Sequence, residues 1–271
     1  MNQKQRPFNA FVGWSQRHFG KAISKYGYAI MTRRMGEADI YFLNFGYEED
    51  PPMGIPLDPR DEPDRYSIQL YHRTAAQTDL AGKEVLEVSC GHGGAASYIT
   101  RTMHPARYVG LDYNPSGIEY CRRKHRLPGL EFVHGDAENL PFADESFDAV
   151  VNVEAGHLYP DYPRFLSEVH RVLRPGGHFL YADLHHRNDV PKWEAEMAAS
   201  PLRKVAERNI DDEVLRGLRL NSPRFNKMID TVLPKPLRSF GRDVAPVEGG
   251  RSYEEAKRGE LSYRIFLFVK D

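Results

Sequence analysis

The stretch Glu84-Val-Leu-Glu87-Val-Ser-Cys-Gly91-His-Gly93-Gly94-Ala-Ala-Ser97 decides the fold. A short apolar strand runs into a glycine-rich turn and then into a helix start. Val109-Gly-Leu-Asp112 reads as a second strand ending on an acid 25 residues past Glu87, and Gly135-Asp136-Ala137-Glu138 places another Asp 24 residues further on. The three segments together predict a nucleoside-binding α/β sheet. Glycines in the first turn let a ligand approach backbone that a Cβ would shield, and Asp112 is placed to accept from both ribose hydroxyls.

A dinucleotide site would set a pyrophosphate in that first turn and would usually read G-x-G-x-x-G. Here Glu87 stands two residues before Ser89, where its charge would repel a pyrophosphate. A carboxylate suits a ligand carrying an ammonium and a sulfonium. The expected cofactor is therefore S-adenosylmethionine.

Working outward, strands are expected at 108–111, 131–133, 149–153 and 178–182, with helices at 67–78 and 162–173. Alternating strand and helix implies a parallel, doubly wound sheet. Pro175-Gly176-Gly177 turns the chain into the fifth strand, and residues 261–270 form the last one. Residues 48–64 are acidic and carry five prolines, so they form an ordered loop rather than helix or central strand. Residues 191–232 read as largely helical, long for a plain connection, and suggest a cap over the ligand end of the sheet. The expected domains are 1–65 (helical arm and proline-rich loop), 66–190 (cofactor-binding α/β core), 191–240 (helical cap) and 241–271 (C-terminal strands completing the sheet).

The first 36 residues hold seven Lys or Arg and no acid. Arg17, Lys21 and Lys25 fall on one stripe and Phe19, Ile23, Tyr26 and Ile30 near an opposite one, which describes a basic amphipathic helix. It either packs on the domain or meets a membrane or lipid substrate. The 271 residues carry a net charge of −1, so no global field argues for nucleic acid. Two cysteines make no disulfide framework, and no window is apolar enough to span a membrane. A cytoplasmic protein, either free or membrane-associated, is expected.

With those residues in hand, the chain resembles class I S-adenosylmethionine-dependent methyltransferases, in particular the mycobacterial phthiotriol/phenolphthiotriol dimycocerosate methyltransferases. The carriers are Tyr47-Glu-Glu-Asp-Pro-Pro, Leu70-Tyr-His-Arg-Thr-Ala, the Glu87 turn, Gly135-Asp-Ala-Glu-Asn-Leu-Pro-Phe and Glu260-Leu-Ser-Tyr-Arg. The resemblance covers about residues 30–271. It implies a mostly parallel seven-stranded sheet and methyl transfer to a hydroxyl on a long lipid. In that family Ser and Cys flank the histidine after the fourth strand, whereas Gly156 and Leu158 flank His157 here.

The expected cofactor residues are Tyr47, Glu87, Ser89, Gly91, Gly93, Asp112, Tyr113, Asp136, Ala137 and Asn152. Glu87 and the turn would hold the methionine part, Tyr113, Asp136 and Ala137 the adenine, and Asn152 would lie beneath the methionine moiety. His157, just past the fourth strand, is the expected general base, since a neutral imidazole near its ordinary pKa of about 6.5 accepts a proton at pH 7. The alternative is a histidine that only orients or packs. Glu154 is the acid available if the acceptor were a carbon. Tyr71, Tyr159, Asp183 and His185 are expected to line the acceptor pocket. No metal is expected: there is no wider acid cluster, and neighbouring His185 and His186 point apart on an extended segment. The expected reaction is O-methylation of a lipid or polyketide-type acceptor; a sugar hydroxyl or an isoprenoid carbon is the alternative acceptor, and a homodimer is compatible with either.

Overall fold

The computed structural model describes residues 40–271. The basic amphipathic helix expected before Glu37 lies outside the described residues.

Among the described residues, a seven-stranded sheet forms the centre, built from β1 (Glu84–Val88), β2 (Arg107–Asp112), β3 (Leu130–His134), β4 (Phe147–Val153), β5 (Leu173–His186), β6 (Arg203–Asn209) and β7 (Leu261–Val269). Their spatial order is β3-β2-β1-β4-β5-β7-β6. The first five pair in parallel, and β7 is antiparallel to both β5 and β6. Helices α1 (Arg65–Ala75), α2 (Gly94–Met103), α3 (Pro115–Lys124), α4 (Tyr162–Val172), α5 (Val190–Ala198), α6 (Asp211–Val232), α7 (Arg238–Val244) and α8 (Arg251–Lys257) cover the two faces.

Strands buried on both faces read as continuous apolar runs, because alternate side chains enter opposite cores. Val85, Tyr108, Val151 and Leu180 enter one core with Ile68 and Ile99; Leu86, Val109, Val150 and Phe179 enter the other with Phe165 and Trp193. Chain progress from β1 runs outward to β3 on one side, while β4 and β5 lie on the other. The direction reverses between β1 and β4, and open α/β sheets bind ligands at such a point.

One expectation needs refining and another correcting. Residues 191–232 are largely helical, through α5 and α6, but they also hold β6. Its sequence, Arg203-Lys-Val-Ala-Glu-Arg-Asn209, is charged and mostly exposed, so it lacks the alternation that would announce a strand. It is an edge strand paired only to β7, and charges there discourage further pairing. Residues 241–271 contain helix α8 and the single strand β7, so the helical layer extends beyond residue 240. Among the described residues, no helix is long and apolar enough to cross a membrane.

Candidate active site

At the carboxyl end of β1, Glu87 is 1% exposed and accepts a hydrogen bond from the Tyr108 hydroxyl at 3.0 Å. Its Oε1 is buried with no hydrogen-bond partner. Burial pushes its carboxyl up to about 8, against the pull of the Tyr108 and Tyr71 hydroxyls. Tyr71 thus stands beside the acid rather than in the acceptor pocket expected for it.

The turn after β1 has left-handed φ at Ser89, Gly91 and Gly93 (63°, 56° and 74°). A Cβ on Gly93 would meet the rings of His125 and Phe132 at 2.9 Å, so that glycine is required by packing. One on Gly91 would meet nothing within 4 Å, so this residue faces open space. Asp112 holds the turn by accepting the N–H groups of Gly91 and Asn114, each at 2.9 Å. Burial raises its carboxyl above the ordinary value.

Tyr113 is 60% exposed, with its ring centroid 6.3 Å from that of His134. Asp136 is exposed and accepts from the Glu138 amide, while Ala137 is buried. On β4, Asn152 donates to the Val88 carbonyl (2.9 Å) and the Tyr159 hydroxyl (2.8 Å), and Ser89 Oγ lies 2.7 Å from the same hydroxyl. Asn152 Oδ1 is buried without a partner. Tyr159, expected in the acceptor pocket, therefore touches both the turn and the acceptor side. Tyr47 departs from its expected cofactor role: it is fully buried, and its hydroxyl is taken by Glu49 at 2.7 Å.

These features fit S-adenosylmethionine. A glycine turn open at Gly91 lies beside two buried, unpartnered acceptors, Glu87 Oε1 and Asn152 Oδ1, on adjacent strands. Leaving such atoms unpaired is costly unless a donor-bearing ligand meets them.

His157 lies in a short 3-10 turn, 156–158, after β4. Its Nδ1 is 2.6 Å from Asp183 Oδ1, and its backbone N–H donates to Oδ2 at 3.0 Å. Asp183 also accepts from the Tyr181 hydroxyl and the Leu184 amide, both at 2.8 Å. Burial works to lower the imidazole pKa, but the charge and hydrogen bond of Asp183 outweigh it, leaving His157 above its ordinary value. The same pairing outweighs burial at Asp183 and holds that carboxyl below the ordinary range. Asp183 was expected to line the acceptor pocket; it is fully buried and acts on His157 instead. A Cβ on Gly156 would clash with the Tyr181 hydroxyl and Asp183, which accounts for glycine there.

The His157 side chain, 29% exposed, opens on a cleft of about 350 Å³ shared with Tyr159, Tyr162, His185, Lys192 and Glu196. His185 stacks on Trp193 at 4.1 Å, with its Nε2 buried and unpartnered; burial lowers its pKa. Glu154 accepts from the Phe45 amide and the Tyr263 hydroxyl. Burial pushes its carboxyl up to about 7.

Sequence reading missed Tyr108, Tyr181 and Tyr263 as partners of these acids. A tyrosine in a doubly buried strand is itself a signal, because its hydroxyl needs a partner. Tyr181 and Asp183 are two residues apart on β5 and so share a face. Among the described residues, no group of three or more His, Cys, Asp or Glu side chains is arranged to hold a metal.

A methyltransferase-domain family model matches residues 86–181. The phthiotriol/phenolphthiotriol dimycocerosates methyltransferase of Mycobacterium tuberculosis is 57% identical over 251 residues, 93% of each chain. The fatty-acid O-methyltransferase of Mycolicibacterium smegmatis is 54% identical, covering 91% of this chain and 89% of its own. The crystal structure of the cyclase SpnF superposes with a TM-score of 0.70 at 18% identity, covering 91% of this chain and 95% of its own, a likeness of fold alone. The strand order, the glycine turn and these relatives together place the chain in the class I S-adenosylmethionine-dependent methyltransferase family.

Proposed function

We propose that the chain methylates a hydroxyl on a lipid or polyketide-type acceptor, with His157 as general base oriented by Asp183. The observation that carries this reading is the 2.6 Å contact between His157 Nδ1 and Asp183 Oδ1 at the mouth of the cleft. It commits Nδ1 as donor, leaving Nε2 as the proton acceptor. Relatives named for dimycocerosate and fatty-acid acceptors support the lipid class.

S-adenosylmethionine supplies an electrophilic methyl on a sulfonium, which leaves as a thioether. The chain's own residues position and deprotonate. Glu87, the 89–93 turn and Asn152 hold the methionine part, with Asp112 on the ribose and Tyr113, Asp136 and Ala137 about the adenine. The acceptor oxygen takes the methyl as its proton passes to His157 Nε2, and holding the two reactants in line is the larger share of the work. Asp183 stabilises the imidazolium that results. A cleft of about 350 Å³ accommodates the hydroxyl-bearing segment of a long acceptor, so the rest of its chain lies beyond the described lining.

An acceptor series of rising chain length tests the reading. Each buried methylene contributes about 0.8 kcal/mol, so kcat/KM should climb steeply with length. Removing residues 1–30 should raise KM for long acceptors more than it weakens cofactor binding, if the basic arm meets an anionic membrane. Equal turnover of free sugars or short alcohols would overturn the lipid reading in favour of a sugar hydroxyl.

A further inference from the structure

We propose that residues 40–48 form a strap across the crevice between β1 and β4, and that Glu154 is its latch, a positioning residue for the cofactor. The proposal rests on the cofactor crevice described above and is independent of the acceptor's identity.

The strap is anchored along its length. His92, in the glycine turn, holds the Ile40 carbonyl through Nδ1 at 2.8 Å. Arg224 of α6 donates to the Phe42 carbonyl at 3.1 Å, and the Phe42 ring lies 2.7 Å from where a Cβ on Gly94 would stand. Asn44 donates to the Ser67 carbonyl at 3.0 Å and accepts from the Ser67 hydroxyl at 3.3 Å. Gly46 meets Gly217 of α6 backbone to backbone, where a Cβ on either would clash.

The far end is pinned by Glu154. Both carboxylate oxygens accept the Phe45 amide, at 2.8 and 3.1 Å, while the Tyr263 hydroxyl of β7 donates to Oε1 at 2.7 Å. Glu154 directly follows β4 with a φ of 53°, a backbone region that side-chain-bearing residues seldom adopt. That conformation, between Asn152 and His157, is the kind of local cost that packing sustains at functional sites. The strap thus joins the turn after β1 to the residue after β4, across adjacent strands paired through Glu87 and Val151. Ligands of doubly wound sheets bind at that point. A carboxylate already occupied by an amide and a hydroxyl is suited to holding a segment closed rather than to exchanging protons with an acceptor.

The test uses the full chain and S-adenosylhomocysteine as probe, comparing Glu154→Ala with Glu154→Gln. The amide of Gln keeps an acceptor for Phe45 and a donor toward Tyr263, whose hydroxyl can then accept. Glu154→Ala should accelerate hydrogen exchange at the Phe45 amide and probe dissociation by on the order of tenfold or more, as loss of a charge-assisted hydrogen bond predicts. Glu154→Gln should stay within about threefold of wild type in both readouts and keep most of kcat. Should Glu154→Ala fail to fold, Tyr263→Phe carries the test and should give an intermediate acceleration of both rates. Unchanged exchange and release in the folded variant overturn the latch. So does a Glu154→Gln enzyme that releases the probe normally yet has lost turnover, since Glu154 would then be a proton-transfer group. Failure of wild type to bind the probe would instead overturn the cofactor crevice itself.

Discussion

His157 and Asp183 sit 26 residues apart in sequence yet meet twice, through the imidazole Nδ1 and through the backbone amide. The side-chain contact fixes the tautomer and the backbone contact fixes the turn, so the ring has one orientation toward the cleft. Replacing His157 by Ala should lower kcat by roughly 10² to 10⁴ and leave cofactor affinity nearly unchanged. Asp183→Asn should lower kcat less. It should also move the acid limb of the kcat/KM profile to lower pH, because Asp183 is what raises the imidazole and only the neutral ring accepts a proton. Steady-state kinetics across pH check both; a His157→Ala enzyme keeping more than about half the rate would leave the histidine an orienting role.

Asp112 holds the turn through Gly91 and Asn114, and the proposed site gives its remaining lone pairs to the ribose. Asp112→Ala should weaken cofactor binding by about 2 to 4 kcal/mol, with Asp112→Asn less severe. Calorimetric titration measures this directly. Equal affinities would remove Asp112 from the cofactor contacts.

With Glu87 against the cofactor's ammonium, as proposed, cofactor binding should be proton-linked. Burial pushes the Glu87 carboxyl up to about 8 in the folded protein, so folding favours the protonated acid and that contribution to stability fades as pH rises toward 8. A cationic ligand at Oε1 reverses the preference and favours the carboxylate. Binding at pH 7 should therefore release up to one proton, and affinity should strengthen as pH rises to 8. Calorimetry at one pH in two buffers of different ionisation enthalpy reads the released proton; identical heats would show that Glu87 does not ionise on binding.

The strand, glycine turn and strand-end acid were legible because their pattern is local. A strand, a turn that needs left-handed residues and an acid at the next strand end all lie within 29 residues, from Glu84 to Asp112. The buried partners were not legible, because Tyr263 reaches Glu154 across 109 residues and only sheet order brings them together. Asp183 was noticed as a polar residue at a strand end, but its target depended on where the turn after β4 would fold. β6 was hidden for a different reason: an edge strand that meets water on most sides needs no apolar alternation.

The place of β7 in the sheet has a consequence for biosynthesis. It follows β6 by more than fifty residues yet inserts between β5 and β6, so until residues 261–269 have left the ribosome β5 is paired on its β4 side alone and β6 has no neighbour. Until then β5 presents an unpaired edge, and Phe179 and Tyr181 lack the covering rings of Phe268 and Phe266. Such edges invite aggregation of partly made chains. Tyr263 arrives on the same strand, so a polypeptide interrupted before it would lack that support for Glu154 along with its sheet. Completion of the sheet and the seating of the Glu154 carboxylate become a single late event.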